Sequence, residues 1–134
     1  MSVVTTLETL LGAHLQHHAP LARYTAARIG GPAEYLVVIR ESLDDLSRVV
    51  TTAWENDIPV RVIGGGANIL VSDKGVSGLV VINKVSEVKF GRWHDGRVVS
   101  ASSGTNLGLL AHKCQAHGFA GMEWAVSVPG TVGG

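Results

Sequence analysis

Glycine is concentrated at a point where the backbone could bind an anion. The segment Gly64-Gly65-Gly66-Ala67-Asn68 follows an apolar run, and successive residues without a Cβ let backbone N–H groups turn toward one point. Such a cluster of amide donors suits a diphosphate. The Asn68 side chain adds a donor and an acceptor, and Ile69 completes the candidate segment. The sequence therefore predicts a phosphate-binding loop over 64–69.

Two common nucleotide-binding motifs do not describe this loop. A dinucleotide fingerprint that starts at Gly64 needs glycine or alanine at position 69, which is isoleucine, and the chain contains no Gly-Lys-Ser/Thr of a Walker loop. The residues after the loop, 69–73, have an extended rather than a helical pattern, so no helix dipole would assist binding. The alternative interpretation is a tight turn between strands without a ligand.

A second glycine-rich loop occupies residues 129–134 and consists of Pro129, Gly130, Thr131, Val132, Gly133 and Gly134. The hydroxyl groups of Ser127 and Thr131 add hydrogen-bond donors beside this flexible backbone. A ligand that spans both loops must be long, which favours a dinucleotide over a mononucleotide. The alternative interpretation is a tail without fixed structure.

The elements before the first loop follow a strand–helix–strand pattern. Residues 34–39 and 60–63 are rich in β-forming side chains, and the second run leads directly into the loop. Between them, Ser42 and Asp45 resemble a capping box that starts a helix over 43–56. The apolar face of this helix consists of Leu46, Val49, Val50, Ala53 and Trp54. The pattern predicts a βαβ unit with parallel strands, covered by that helix face.

Shorter strands follow the first loop, at 79–82, 85–90 and 98–101, and the Asp95-Gly96 pair favours a hairpin. Asn106 is expected to cap a further helix that Gly118 ends. We therefore expect an α+β fold with a small βαβ lobe over about 20–70 and an antiparallel-sheet lobe over about 71–134. A ligand would lie in the crevice between the lobes.

The N-terminal segment 7–18 has leucines at helical spacing and predicts an amphipathic helix. His14, His17 and His18 would share one face of that helix, an arrangement that could bind a metal ion. Because no cysteine or suitably spaced carboxylate completes the ligand set, we interpret these histidines as solvent-exposed and predict no metal site.

Composition excludes several classes of partner. Eleven basic and eleven acidic residues give a formal net charge of zero without a basic block, so we expect no nucleic-acid surface. The chain has one cysteine, Cys114, at an apolar helical position, which favours an inert buried thiol in a reducing compartment. No apolar run approaches the ~20 residues of a membrane span. We therefore expect a cytoplasmic location and no membrane partner.

Three segments together resemble a known family. TAARIGGPAEYLVV (25–38), VIGGGANILVSDKGVSGLVV (62–81) and GMEWAVSVPGTVGG (121–134) are similar, in order and spacing, to the N-terminal FAD-binding part of the UDP-N-acetylenolpyruvoylglucosamine reductases (MurB-type). The resemblance covers roughly residues 20–134. The chain departs from the residues usual in the family at Tyr24, Ala67 and Ser127.

This resemblance implies a PCMH-type FAD-binding fold that binds FAD noncovalently and uses NADPH as co-substrate. The family reduces UDP-N-acetylglucosamine enolpyruvate to UDP-N-acetylmuramate in peptidoglycan synthesis. By resemblance, the backbone N–H groups of 64–68 contact the pyrophosphate. The flavin or ribityl side is contacted by Pro129, Gly130, Thr131, Gly133 and Gly134.

The resemblance also implies what this stretch of chain lacks. The catalytic arginine, serine and glutamate of the family lie later in the chain, together with the domain that binds the UDP-sugar. We therefore expect residues 1–134 to be a truncated FAD-binding domain without the C-terminal substrate-binding domain. Such a chain would hold no catalytic residue and would be inactive on its own.

Two other functions stay open on the sequence. The first is a different FAD-dependent oxidase or dehydrogenase of the same superfamily, in which a histidine or cysteine can bind flavin covalently. None of the six histidines lies in either glycine-rich loop, which disfavours covalent attachment. The second is a non-catalytic, truncated flavin-binding module.

Overall fold

The computed structural model describes residues 2–134 and consists of two β-sheets with three α-helices. The helices are α1 (Val3–Leu11), α2 (Leu43–Glu55) and α3 (Leu107–Ala116). The strands are β1 (Gln16–Pro20), β2 (Pro32–Ile39), β3 (Val60–Ile63), β4 (Val76–Asn83), β5 (Val88–Trp93) and β6 (Gly96–Ala101). The first sheet has the order β1-β2-β4-β3, and β5 pairs with β6 in a separate sheet. The predicted α+β class is confirmed.

Strand β4 lies inside the first sheet, between β2 and β3 and parallel to both. The prediction that residues 79–82 begin the antiparallel group is therefore wrong. Leu79, Val80, Val81 and Ile82 are all buried, and such a continuous apolar run is typical of a central strand covered on both faces. β2 and β3 are parallel, as predicted, but they are not neighbours. The first sheet thus extends to Asn83, past the lobe boundary expected near residue 70.

Helix α2 covers one face of this sheet. Its N-terminus is capped as predicted, because the Ser42 side chain accepts a hydrogen bond from the Asp45 backbone N–H at 3.1 Å. Val49 and Ala53 are buried in the cluster that includes residues of β2 and β4. The prediction that Trp54 belongs to this face is wrong, since its side chain is 67% exposed. One residue advances a helix by ~100°, which turns Trp54 away from the face that carries Ala53.

The helix predicted over 7–18 is shorter than expected. α1 ends at Leu11, and Gly12 has φ of 50°, a left-handed conformation that a glycine adopts easily. Residues 16–20 instead form β1, which pairs antiparallel with β2 at the edge of the sheet. His17 and His18 therefore lie on a strand, and the three-histidine helix face does not form. Within residues 2–134 no group of three histidine, cysteine or acidic side chains could hold a metal ion.

The second sheet is a hairpin, with its turn at His94 and Asp95 as predicted. It packs against the end of α3, where the Phe90 and His117 rings stack with centroids 3.9 Å apart. Arg97 donates hydrogen bonds to the carbonyl oxygens of Gly118 and His117, at 2.9 and 2.8 Å. The hairpin therefore satisfies two carbonyl groups of the turn that directly follows α3. Along residues 2–134, no helix is long and apolar enough to span a membrane.

A buried polar network joins the two sheets. The Asn83 side chain, at the end of β4, donates to the Ser103 hydroxyl at 2.9 Å and accepts from the Val85 backbone N–H at 3.1 Å. The Ser102 hydroxyl donates to the Val85 carbonyl at 2.8 Å and lies 3.0 Å from the Thr105 hydroxyl. Every buried side-chain polar atom in the described chain has a partner. The segments after β4 and after β6 are thereby held together.

We predict that Asn83→Ala lowers the free energy of unfolding by about 1–3 kcal/mol, because it leaves a buried backbone N–H without its acceptor. Urea unfolding followed by circular dichroism measures this change. The matched control is Asn56→Ala, since Asn56 is exposed and its side chain donates to the Thr52 carbonyl at the end of α2. Equal losses of stability in the two variants would contradict the role given to Asn83.

Candidate functional site

The first glycine-rich loop, residues 64–68, starts where β3 ends at Ile63. Because β3 and β4 are parallel, their carboxyl ends lie at the same edge of the sheet, where Asn83 ends β4. In open sheets of parallel strands, ligands bind in the crevice outside these carboxyl ends. The sheet topology therefore places the predicted phosphate-binding loop at the edge where a ligand site is expected.

Several backbone N–H groups of this loop are unpaired. The N–H groups of Gly65, Gly66, Ala67 and Asn68 have no protein acceptor within residues 2–134. Backbone N–H groups that are not paired in the protein are available to water or to a ligand. Gly66 is buried, whereas Gly65 and Asn68 are exposed and Ala67 is half-buried. Successive backbone N–H groups of this kind form anion-binding concavities in glycine-rich loops.

Gly66 fixes the path of the loop. It has φ of 63°, and its carbonyl oxygen accepts a hydrogen bond from the Ala26 backbone N–H at 2.9 Å. A Cβ atom at this position would overlap the Tyr24 carbonyl oxygen. Glycine is therefore required at position 66 for two reasons, the left-handed backbone and the close approach of the 24–26 segment.

The second loop, residues 129–134, is held in a defined position. The Val132 and Gly133 backbone N–H groups donate to the carbonyl oxygens of Thr105 and Ser103, each at 2.9 Å. The Gly130 carbonyl oxygen accepts from the Leu107 N–H at 3.1 Å, at the start of α3. The alternative of a tail without fixed structure is therefore not supported.

The two loops meet, although sixty residues, 69–128, separate them in the sequence. A Cβ atom at Gly64 would overlap the Thr131 hydroxyl oxygen, so the second loop packs directly on the first. A Cβ atom at Gly65 would lie 3.8 Å from the Thr131 methyl carbon and 3.9 Å from the Gly130 Cα, which is ordinary contact. Position 64 therefore needs glycine for loop packing, whereas position 65 has room for a methyl group.

The remaining predicted site residues lie around this contact. Ala67 and Ile69 are half-buried, while Asn68 and Pro129 are exposed. The Gly134 N–H donates to the Thr131 carbonyl at 3.0 Å. Gly133 and Gly134 use their N–H groups within the protein, whereas the Thr131 hydroxyl lies beside Gly64 without a hydrogen-bond partner in the described chain.

A cavity of about 330 Å³ opens beside Gly64 and Gly65. Its other walls come from the segment between β1 and β2 and from the end of β4. Three of the residues that line it are basic, namely Arg23, Arg28 and Lys84, and none of them is acidic. The cavity is at the lower end of the roughly 300–1,000 Å³ that small-molecule sites occupy, so it suits one part of a dinucleotide.

The sequence reasoning did not identify these three basic residues. Arg28 stands within the TAARIGG segment, and Lys84 directly follows the buried strand β4. A basic residue at the carboxyl end of a buried strand is the signal that could have pointed to Lys84. Arg23 and Arg28 carry no comparable signal, because their position depends on the path of a loop. Cys114, in contrast, is buried and free, as predicted.

Comparison with known proteins agrees with this geometry. The FAD binding domain family matches residues 35–134. The chain is 42% identical over 116 residues to UDP-N-acetylenolpyruvoylglucosamine reductase 2 of Symbiobacterium thermophilum. This alignment covers 85% of this chain and 36% of that protein. It is 38% identical over 129 residues to UDP-N-acetylenolpyruvoylglucosamine reductase of Streptococcus uberis, in an alignment that covers 96% of this chain and 41% of that protein.

A solved structure has the same fold. The crystal structure of UDP-N-acetylenolpyruvylglucosamine reductase (MurB) from Thermus caldophilus superimposes with a TM-score of 0.62 at 29% identity, covering 90% of this chain and 41% of that chain. The chain thus spans about two fifths of the length of the proteins it matches. The resemblance to the FAD-binding part of these reductases is confirmed, and the expectation of FAD as cofactor agrees with the matched family. The chain belongs to the FAD binding domain family.

Proposed function

We propose that this chain is the FAD-binding part of a reductase that converts UDP-N-acetylglucosamine enolpyruvate to UDP-N-acetylmuramate with NADPH, in peptidoglycan synthesis. The observation that carries the proposal is the contact between the two glycine-rich loops. Thr131 packs on Gly64 beside a row of unpaired amide donors. The similarity to reductases of that name supports the choice of reaction.

The residues at this site fit a dinucleotide. Four free amide donors over 65–68 can bind phosphate oxygens, and the Thr131 hydroxyl can donate to or accept from a neighbouring polar group. Position 65 has no side chain, so a ligand can approach the backbone closely. Bound FAD would supply the hydride chemistry of the reaction. The chain itself binds and orients the cofactor, with Pro129, Gly130 and Thr131 proposed on the flavin side.

In this proposal Gly133 and Gly134 position the second loop, since their N–H groups bond to the protein. Asn68 and Ile69 follow the amide donors and complete the first loop. The UDP-sugar would be bound by a substrate-binding domain outside residues 1–134, in the part of the reductases that this chain does not match. Residues 1–134 would then contribute the cofactor-binding domain and no catalytic side chain.

The first experiment asks whether the chain binds FAD and whether the bond is covalent. We expect the purified chain to bind FAD in a fluorescence titration and to release free flavin into the supernatant on acid precipitation. A chain that binds no FAD would contradict the proposal. Flavin that stays with the precipitated protein would favour a covalent flavoenzyme of the same superfamily.

The Gly65→Ala variant tests the site within the same titration. We expect its affinity for FAD to fall about tenfold or more, equivalent to at least ~1.4 kcal/mol, because the methyl group occupies the space that the cofactor needs. Its unfolding midpoint should stay close to that of the wild type, since the nearest atom to the new Cβ lies 3.8 Å away.

Gly91→Ala is the matched control, because a Cβ there lies 4.0 Å from a Val98 methyl carbon on the separate hairpin. We expect it to bind FAD like the wild type. If Gly65→Ala also binds like the wild type, the assignment of the first loop to the cofactor is wrong.

We also expect the 134-residue chain, supplied with FAD, NADPH and enolpyruvyl substrate, to show no substrate-dependent oxidation of NADPH. Loss of a general acid lowers rates by typically 10²–10⁴-fold, and loss of substrate positioning can remove ~7–11 kcal/mol more. Absorbance at the NADPH band measures the rate. Turnover near a typical enzyme's ~10 s⁻¹ would mean that residues 1–134 contain the catalytic groups.

A further inference from the structure

The cavity beside Gly64 and Gly65 has an excess of positive charge that composition does not explain. The chain has a formal net charge of zero, yet Arg23, Arg28 and Lys84 line this one cavity. We call these three residues the cationic rim. They come from two separate parts of the chain, the segment before β2 and the end of β4, and the fold alone brings them together.

None of the cationic-rim residues forms an ion pair within the described chain. Along residues 2–134 a single ion pair forms, between Arg48 and Asp45 on α2. Three basic side chains around one cavity repel one another, and an anion between them relieves this repulsion. The arrangement therefore favours an anionic ligand in the cavity.

The position of the cavity indicates which anion. Gly64 and Gly65 line the cavity, and Gly65 carries the first of the unpaired amide donors of the glycine-rich loop. A ligand group in contact with both would receive backbone hydrogen bonds from one side and side-chain charge from the other. A diphosphate has enough oxygen atoms and charge to use both sets of groups at once.

We propose that the cationic rim binds the diphosphate of FAD and makes binding of the cofactor dependent on charge. This inference rests on the proposed function, because it assigns a role to side chains around the same cofactor site. The affinity for FAD then has two components, hydrogen bonds from the backbone donors and electrostatic attraction from the cationic rim. Since the rim residues are exposed, salt screens that component, and the affinity for FAD falls as salt concentration rises.

The test compares FAD titrations of the full 134-residue chain with those of Arg23→Gln, Arg28→Gln, Lys84→Gln and the triple variant. Arg92→Gln is the matched control, since Arg92 is an exposed residue of β5 that does not line the cavity. Each titration is made at 0.05 M and at 1 M NaCl. Thermal unfolding of each variant shows whether its fold is retained.

At low salt we expect each single variant to bind FAD about three- to tenfold more weakly, as exposed charge contacts allow, and the triple variant to lose more than any single one. At 1 M salt, where the screening length is ~3 Å, these differences should shrink to about twofold. Arg92→Gln should match the wild type under both conditions. If the triple variant fails to fold, the FAD affinities of the single variants test the inference.

Three results would overturn the inference while leaving the proposed function intact. They are single variants that bind FAD like Arg92→Gln, an affinity loss that is the same at both salt concentrations, and wild-type binding that salt does not weaken. A wild-type chain that binds no FAD at all would overturn both the inference and the proposed function.

Discussion

The burial of β4 between two parallel neighbours is the constraint on which the site depends. Its apolar run from Leu79 to Ile82 can be covered only in the middle of a sheet, with β2 on one side and β3 on the other. This placement sets the carboxyl ends of β3 and β4 side by side. The glycine-rich loop and Lys84 leave the sheet from those two ends, so one buried strand determines where both kinds of proposed phosphate-binding group lie.

The same strand also positions the second loop. At its end, the Asn83 side chain donates a hydrogen bond to the Ser103 hydroxyl. The Ser103 carbonyl oxygen in turn accepts a hydrogen bond from the Gly133 backbone N–H. Through this chain of contacts, the position of Thr131 against Gly64 is coupled to the end of β4. The two loops therefore meet because each is attached to the same edge of one sheet, by strand pairing for the first and by buried polar contacts for the second.

Local patterns in the sequence predicted most elements but not their arrangement. The caps of α2 and α3, the hairpin turn and the two glycine-rich loops depend on neighbouring residues, and all appear where expected. The sheet order was not predictable in this way, because a run such as 79–82 suits either a buried parallel strand or a covered antiparallel one. Only its parallel pairing with β2 and β3 in the folded chain decides between them. The position of Arg23 and Arg28 in the cavity was not predictable for a related reason, since it depends on how a loop folds back on Gly66.

Binding of the cofactor by the backbone N–H groups of residues 65–68 is the interaction on which the proposed function depends. Amide hydrogen exchange of the ¹⁵N-labelled chain, followed by NMR with and without FAD, tests it most directly. Because these groups have no protein acceptor, they should exchange rapidly in the free chain and distinctly more slowly once FAD is bound. Exchange at 65–68 that stays unchanged while FAD is bound would contradict the claim.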